Sequence, residues 1–195
     1  MPSESRSRIT LKTRRLIAEN QVFDVYFDHI VEDGGAEVPA YLVVAPKAVS
    51  EDLVTGASVL PVMEGRIGLL RLYRHAIGEL TWEVPRGFVE AGESPGDAAA
   101  RELEEEAGLI VDKDDLIDAG RMTPEAGILA ARVALYIAQD CRRVREYAAD
   151  ELGHTDFVWF SIDEALDMAH GAQIQDPSTL LLIHRFALDR SRRGR

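Results

Sequence analysis

Hydrophobic and polar residues alternate, imperfectly, over residues 9–17 and again over residues 22–31, the pattern of strands with one covered face. Asp33-Gly34-Gly35 marks a turn after the second run, and the continuous apolar stretch 40–45 predicts a buried strand. These segments form an antiparallel meander ahead of the main domain. Residues 58–63 and 67–74 flank Glu64-Gly65 and predict a hairpin of the core sheet. Trp82-Glu83-Val84 is a short strand ending at Pro85, followed by a glycine-containing loop over 87–93. Ser94-Pro95 then offers an N-cap and a first helical residue, and Gly108 a C-terminal stop, so a helix is predicted between them. Further strands are predicted at 116–122, 132–138 and 158–160. Ser161 and Glu164 have the form of a capping box that starts a helix reaching about residue 168, and Asp176-Pro177-Ser178 starts a last helix. The basic end 190–195 is expected to fray. The boundary is drawn at residue 55: residues 1–55 as a small β subdomain, residues 56–195 as the main domain.

The helix after Ser94 carries the informative pattern. At about 100° per residue, Ala100, Leu103 and Ala107 share a narrow apolar face, while Glu102, Glu105 and Glu106 fall on a neighbouring arc. Like charges four apart cost about a few tenths of a kcal/mol, and anions are misplaced at a helix C-terminus. A solvated acidic face accounts for such glutamates; so does a bound cation. Oxygen-only donors suit a hard divalent ion.

Composition narrows these choices. A net charge of −12 argues against non-specific binding to nucleic acid or to an anionic membrane surface. No apolar run is long enough for a membrane span, and residues 1–8 lack the apolar core of a signal peptide, so a cytoplasmic location is expected. Cys141 is the single cysteine, which excludes an internal disulfide. His29, His75, His154, His170 and His184 show no zinc-like spacing, and none is assigned as a ligand.

Gly87, Glu93, Arg101, Glu102, Leu103, Glu105, Glu106, Gly108 and Leu109 together spell G-x₅-E-x₇-R-E-U-x-E-E-x-G-U, U being a bulky aliphatic. This resembles the Nudix box at every defined position. The resemblance implies an α/β fold of the α+β type: a mixed sheet between helices, an α/β/α sandwich with the box as a loop–helix–loop, here preceded by the small antiparallel β subdomain. It implies metal-dependent hydrolysis of a diphosphate linkage with Mg²⁺ or Mn²⁺ as cofactor. Glu102 and Glu106 match the principal metal ligands. Glu105 matches a further ligand, direct or through water, and counts with the catalytic carboxylates. The backbone carbonyl of Arg86 matches another ligand. Glu93 and Arg101 match residues that brace the loop and orient the carboxylates, and Glu90 lies in the same loop.

Other segments resemble the branch that hydrolyses ADP-ribose and nucleoside-diphosphate sugars. Leu72-Tyr73-Arg74 is similar to its Gln-Tyr-Arg, with Leu72 in place of glutamine. Trp82-Glu83-Val84-Pro85-Arg86-Gly87 is similar to Trp-Glu-Leu-Pro-Ala-Gly, with Arg86 in place of alanine. Pro124 stands near the proline that marks ADP-ribose hydrolases. In that branch the N-terminal meander is a homodimerisation element, so a homodimer is expected.

The substrate so implied is a nucleoside diphosphate derivative, foremost ADP-ribose, cut to AMP and ribose 5-phosphate. Arg74 is then a phosphate clamp or a surface ion-pair partner. Arg86 adds a cation that contacts substrate or pairs with Glu83 or Glu90. The general base falls in the loop before residue 157, where Glu151 matches best and Asp150 and Glu146 are rivals. Two other functions remain in view: a non-catalytic module that binds ADP-ribose-like ligands, and a house-cleaning nucleoside triphosphate pyrophosphohydrolase.

Overall fold

The computed structural model describes residues 8–48 and 52–193 and divides into two compact units. One comprises residues 1–53 with residues 125–131, the other residues 54–124 with 132–195. The sequence boundary at 55 lies near the first break, but the return of 125–131 to the N-terminal unit is not marked in the sequence.

The N-terminal unit is a three-stranded antiparallel sheet in the order β1 (Ile9–Glu19), β2 (Phe23–Glu32), β3 (Glu37–Pro46). Residues 125–131 join it through β3: Val44 donates to Ile128 O at 2.7 Å and accepts from Ala130 N at 2.9 Å. The stretch 40–45, predicted to be a buried strand, is half-buried in β3 with Ala40 exposed. A lone three-stranded sheet covers at most one face. Arg14 and the buried Asp28 form a bidentate pair across β1 and β2, at 2.8 and 2.7 Å.

The larger unit is built on a seven-stranded mixed sheet. β4 (Val54–Met63) and β5 (Arg66–Arg74) make the predicted hairpin around Glu64-Gly65. β10 (Arg132–Ala138) runs parallel to β4, and β9 (Leu116–Met122) is antiparallel to β10. β12 (His154–Phe160) lies antiparallel along β5, giving the order β12-β5-β4-β10-β9. β6 (Glu79–Glu83) adds to β5. β7 (Arg86–Phe88) adds to β4, pairing Ala57 with Gly87.

Side chains alternate along β4. Ala57 and Val59 face α1 (Pro95–Ala107) in a cluster with Ala98, Ala99, Leu103 and Ala107. Leu60 and Val62 face α2 (Ile162–His170) and α3 (Pro177–Arg193), in a cluster with Ala165, Ile174, Leu182, Ile183 and Phe186. The sheet is therefore sandwiched between α1 on one side and α2 with α3 on the other.

Several local expectations shift. The predicted loop 87–93 starts later, because β7 carries the chain through Phe88. Ala99 is fully buried and Ala100 only half-buried, so the packing face of α1 is rotated one residue from the predicted one. α3 continues to Arg193, through residues expected to fray; residues 194–195 lie outside the described residues. The two-residue strands β8 (Leu109–Ile110) and β11 (Arg142–Arg143) are too short to show a period in sequence. No helix among the described residues is long and apolar enough to cross a membrane.

Candidate active site

The helix that presents the carboxylates is fixed at both ends. Ser94 Oγ accepts from Asp97 N at 3.1 Å, and Pro95 stands at the first helical position. At the other end Gly108 is left-handed (φ 67°), and its N–H donates to Glu104 O and Leu103 O. The last carbonyls are further capped from outside the helix. Arg145 donates to Glu104 O at 2.7 Å and also to Glu105 O. This guanidinium supplies the positive charge that the last turn of the helix lacks.

The three glutamates differ in setting. Glu102 and Glu106 are each only 8 % exposed, whereas the Glu105 side chain is half in solvent. Glu106 Oε2 accepts from Arg86 N at 2.8 Å. Its other oxygen, Oε1, has no hydrogen-bond donor among the described residues, and His154 Nε2 stands 3.7 Å from it. Burial, reinforced by Glu151 and Glu102, pushes the Glu106 carboxyl up to about 8, against the pull of Arg86 N and Arg74. Burial likewise raises Glu102, although Arg101 opposes it.

Arg101 ties the loop to the helix. It donates to both oxygens of Glu93, at 3.0 and 3.1 Å, and to Phe88 O at 2.9 Å. It also reaches Glu102 Oε1 at 2.7 Å and Glu105 Oε2 at 2.9 Å. Glu93 in turn accepts from Glu90 N at 3.0 Å, and these bonds hold its carboxyl below the usual range. Glu90 thus enters the loop through its backbone.

Gly87 faces the carboxylate of Glu102 so closely that a Cβ there would collide with it. Gly87→Ala is therefore expected to displace Glu102 and weaken divalent-ion binding by about tenfold or more. Titration calorimetry of the metal-free variant checks this; unchanged affinity would show that Glu102 is not held in place by that contact.

Arg74 and Arg86 meet on one buried carboxylate. Glu83, 2 % exposed, accepts from Arg74 at 2.9 and 2.6 Å and from Arg86 at 2.7 Å. Arg86 also donates to Asp176 Oδ1 at 2.8 Å. Of the carboxylates open to Arg86 in sequence, Glu83 is the observed partner and Glu90 is not. Asp176 was missed as a partner. Its Oδ2 accepts from Thr179 N at 2.8 Å at the start of α3, so the helix start and the arginine share one side chain. Two guanidiniums and two carboxylates balance in charge, and their mutual bonds fix Arg74 and Arg86 in place beside Glu106.

Three donors converge at the mouth of this arrangement. One ligand atom from each of Glu106, Glu151 and His154 lies within 4.8 Å of the others. Of the three base candidates, Glu151 is the one in this cluster; Glu146 is paired with Arg143 at 3.0 Å and is largely exposed. His154 was not singled out in sequence. The signal available was its place three residues after Glu151, which a turn brings together: His154 N donates to Glu151 O at 3.1 Å.

The residues fit a divalent cation. Two buried like-charged carboxylates and an unpartnered carboxylate oxygen are costly by themselves, and a hard cation satisfies all three.

A family model, the NUDIX domain, matches residues 52–186, more than half of the chain. The chain belongs to the Nudix family. Among curated relatives, this Nudix chain is 27% identical over 175 residues to the ADP-ribose pyrophosphatase of Bacillus subtilis (strain 168), spanning 87% of this chain and 90% of that one. It is 26% identical over 175 residues, 89% of each chain, to the methanol dehydrogenase activator of Bacillus methanolicus. It is 36% identical over 115 residues to the ADP-ribose pyrophosphatase of Mycobacterium tuberculosis, covering 56% of this chain and 54% of that one. A crystal structure of an ADP compounds hydrolase superposes with a TM-score of 0.76 over 97% of this chain and 98% of the other at 18% identity, a likeness of fold. The Nudix sandwich expected from the box is thus the observed fold, and the chain is a Nudix enzyme of the pyrophosphatase type.

Proposed function

We propose that this Nudix enzyme hydrolyses the diphosphate linkage of ADP-ribose, or of a related nucleotide sugar, using Mg²⁺ or Mn²⁺. The observation that carries this reading is the burial of Glu102 and Glu106 side by side, with Glu106 Oε1 lacking a donor. Relatives named as ADP-ribose pyrophosphatases support the substrate class.

Glu102, Glu106 and, from the exposed side, Glu105 would hold the ion, together with the backbone carbonyl of Arg86. A divalent ion there offsets charge on the phosphate oxygens and makes water more acidic. Arg101 keeps Glu102 and Glu105 in place, and with Glu93 it fixes the loop that begins after β7. Arg74 and Arg86, pre-oriented by Glu83, offer their remaining N–H groups to the diphosphate. Glu151 takes the proton as water attacks phosphorus and the P–O bond to the other phosphate breaks. One water is consumed, and AMP and ribose 5-phosphate leave.

The deciding experiment is a hydrolysis screen of ADP-ribose, ADP-glucose, GDP-mannose, diadenosine polyphosphates and dNTPs with Mg²⁺ or Mn²⁺. ADP-ribose or a nucleotide sugar is expected to lead. Preference for dNTPs would favour the house-cleaning reading. Binding of ADP-ribose without turnover of any substrate would favour a binding module.

The N-terminal unit completes the proposal. Its β1 exposes Ile9, Leu11, Leu16 and Ile17, which suits pairing with a second copy of the chain. Light scattering is expected to give twice the 21.6 kDa chain mass. Replacing Leu11 and Leu16 by aspartate should shift it to one; a monomeric wild type would contradict the pairing.

A further inference from the structure

We infer that His154 supplies a nitrogen ligand to the divalent ion, so that this centre holds Mn²⁺ in preference to Mg²⁺. The inference rests on the metal-dependent reading above and adds a donor that the Nudix box does not contain.

The His154 side chain is 6 % exposed, and neither ring nitrogen has a hydrogen-bond partner among the described residues. A neutral imidazole nitrogen that has no protein partner can serve as a metal ligand. Here Nε2 instead stands 3.7 Å from Glu106 Oε1 and 3.8 Å from Glu151 Oε2. Those gaps exceed a hydrogen bond. They lie within the range open to two donors of one ion, between roughly 3.0 Å for ligands at a right angle and about 4.2 Å for opposite ones at about 2.1 Å from the ion. The oxygen of Glu106 that faces the ring is the one without a donor.

The backbone places the ring firmly. His154 opens β12, opposite Leu72 of β5. Just before it, Gly153 O accepts from Tyr73 N at 2.8 Å. Gly153 has φ +91°, and a Cβ there would come 2.7 Å from Tyr73 O, so this turn admits only glycine. Glu151 and His154 are thereby fixed on either side of one glycine-dependent turn. Of the other histidines, His29 contacts Glu37 and His184 contacts Leu180 O. Only His154 joins a metal-capable group among the described residues.

The chemistry of the donors sets the preference. An all-oxygen site suits Mg²⁺, whereas an imidazole nitrogen favours a first-row transition ion over it; among these, Mn²⁺ is the one that also suits the carboxylate and carbonyl oxygens of this site. An ion-paired imidazolium between two carboxylates is the competing account of the same geometry.

The test is pulsed electron paramagnetic resonance on the tag-free, metal-stripped full chain loaded with Mn²⁺. A nitrogen coupling from a coordinated imidazole is expected, altered by ¹⁵N-histidine labelling. In His154→Phe it should vanish, with Mn²⁺ affinity lowered about tenfold or more and Mg²⁺ affinity changed much less. Mn²⁺ bound with an oxygen-only spectrum in the wild type overturns the inference and leaves the glutamate site standing. That result needs no folded variant. Failure of the wild type to bind Mn²⁺ or Mg²⁺ at all overturns the metal-dependent reading itself.

Discussion

Glu106→Gln is expected to lower kcat on ADP-ribose by about three orders of magnitude or more, with the fold intact. The variant keeps the shape of the side chain and an oxygen that can still accept from Arg86 N, now held at 2.8 Å. What it loses is the buried carboxylate beside Glu102 and Glu151 that is proposed to hold the ion. Near-normal turnover with Mg²⁺ present would remove Glu106 from the metal site. The same variant has a signature without substrate. Burial raises the Glu106 carboxyl to about 8 in the folded chain, against 4.5 for the free group. A group raised in this way contributes stability fully below pH 4.5 and loses it as pH rises through 8. Across that window the metal-free wild type should therefore lose on the order of a few kcal/mol more than Glu106→Gln does. At pH 8 the metal-free variant should be the more stable protein. Adding a divalent ion should stabilise the wild type preferentially, by binding the native state. Chemical denaturation at pH 5 and pH 8, with and without metal, reads all of this; parallel profiles would contradict it.

Glu151→Gln should slow turnover by about two to four orders of magnitude while leaving ADP-ribose binding within a few-fold of wild type. Its side chain is half exposed, so neutralising it costs the fold little. Its carboxylate approaches the His154 ring, which places it beside Glu106. Binding measured by calorimetry, set against single-turnover rates, separates the two effects. A variant that loses affinity but keeps its chemical rate would move the base elsewhere.

How much of this the sequence carried depends on how local each cause is. The ends of α1 were legible, because Ser94, Pro95 and Gly108 act within one turn of their own positions. The box marked the glutamates proposed to hold the metal. Their unequal burial was not. Glu102 and Glu106 are covered because β7 lies along β4 and brings Gly87 and Arg86 N over them, a consequence of sheet pairing. The pairing of Arg74 and Arg86 on Glu83 was only half legible. Glu83 is near in sequence, but Asp176 arrives from the far end of the chain. His154 showed no ligand spacing with any other histidine, and its approach to Glu106 depends on the register of β12 on β5. In the N-terminal unit the strands were legible and their burial was not. An apolar run such as 40–45 reads the same whether its strand is covered on both faces or on one.

The most direct test of the central claim is ADP-ribose hydrolysis by the metal-stripped wild type, followed by phosphorus NMR, before and after adding Mg²⁺ or Mn²⁺. The account predicts no AMP or ribose 5-phosphate from the stripped protein, and both products in equal amounts once the ion is restored. Cleavage at the same rate in excess chelator would contradict it.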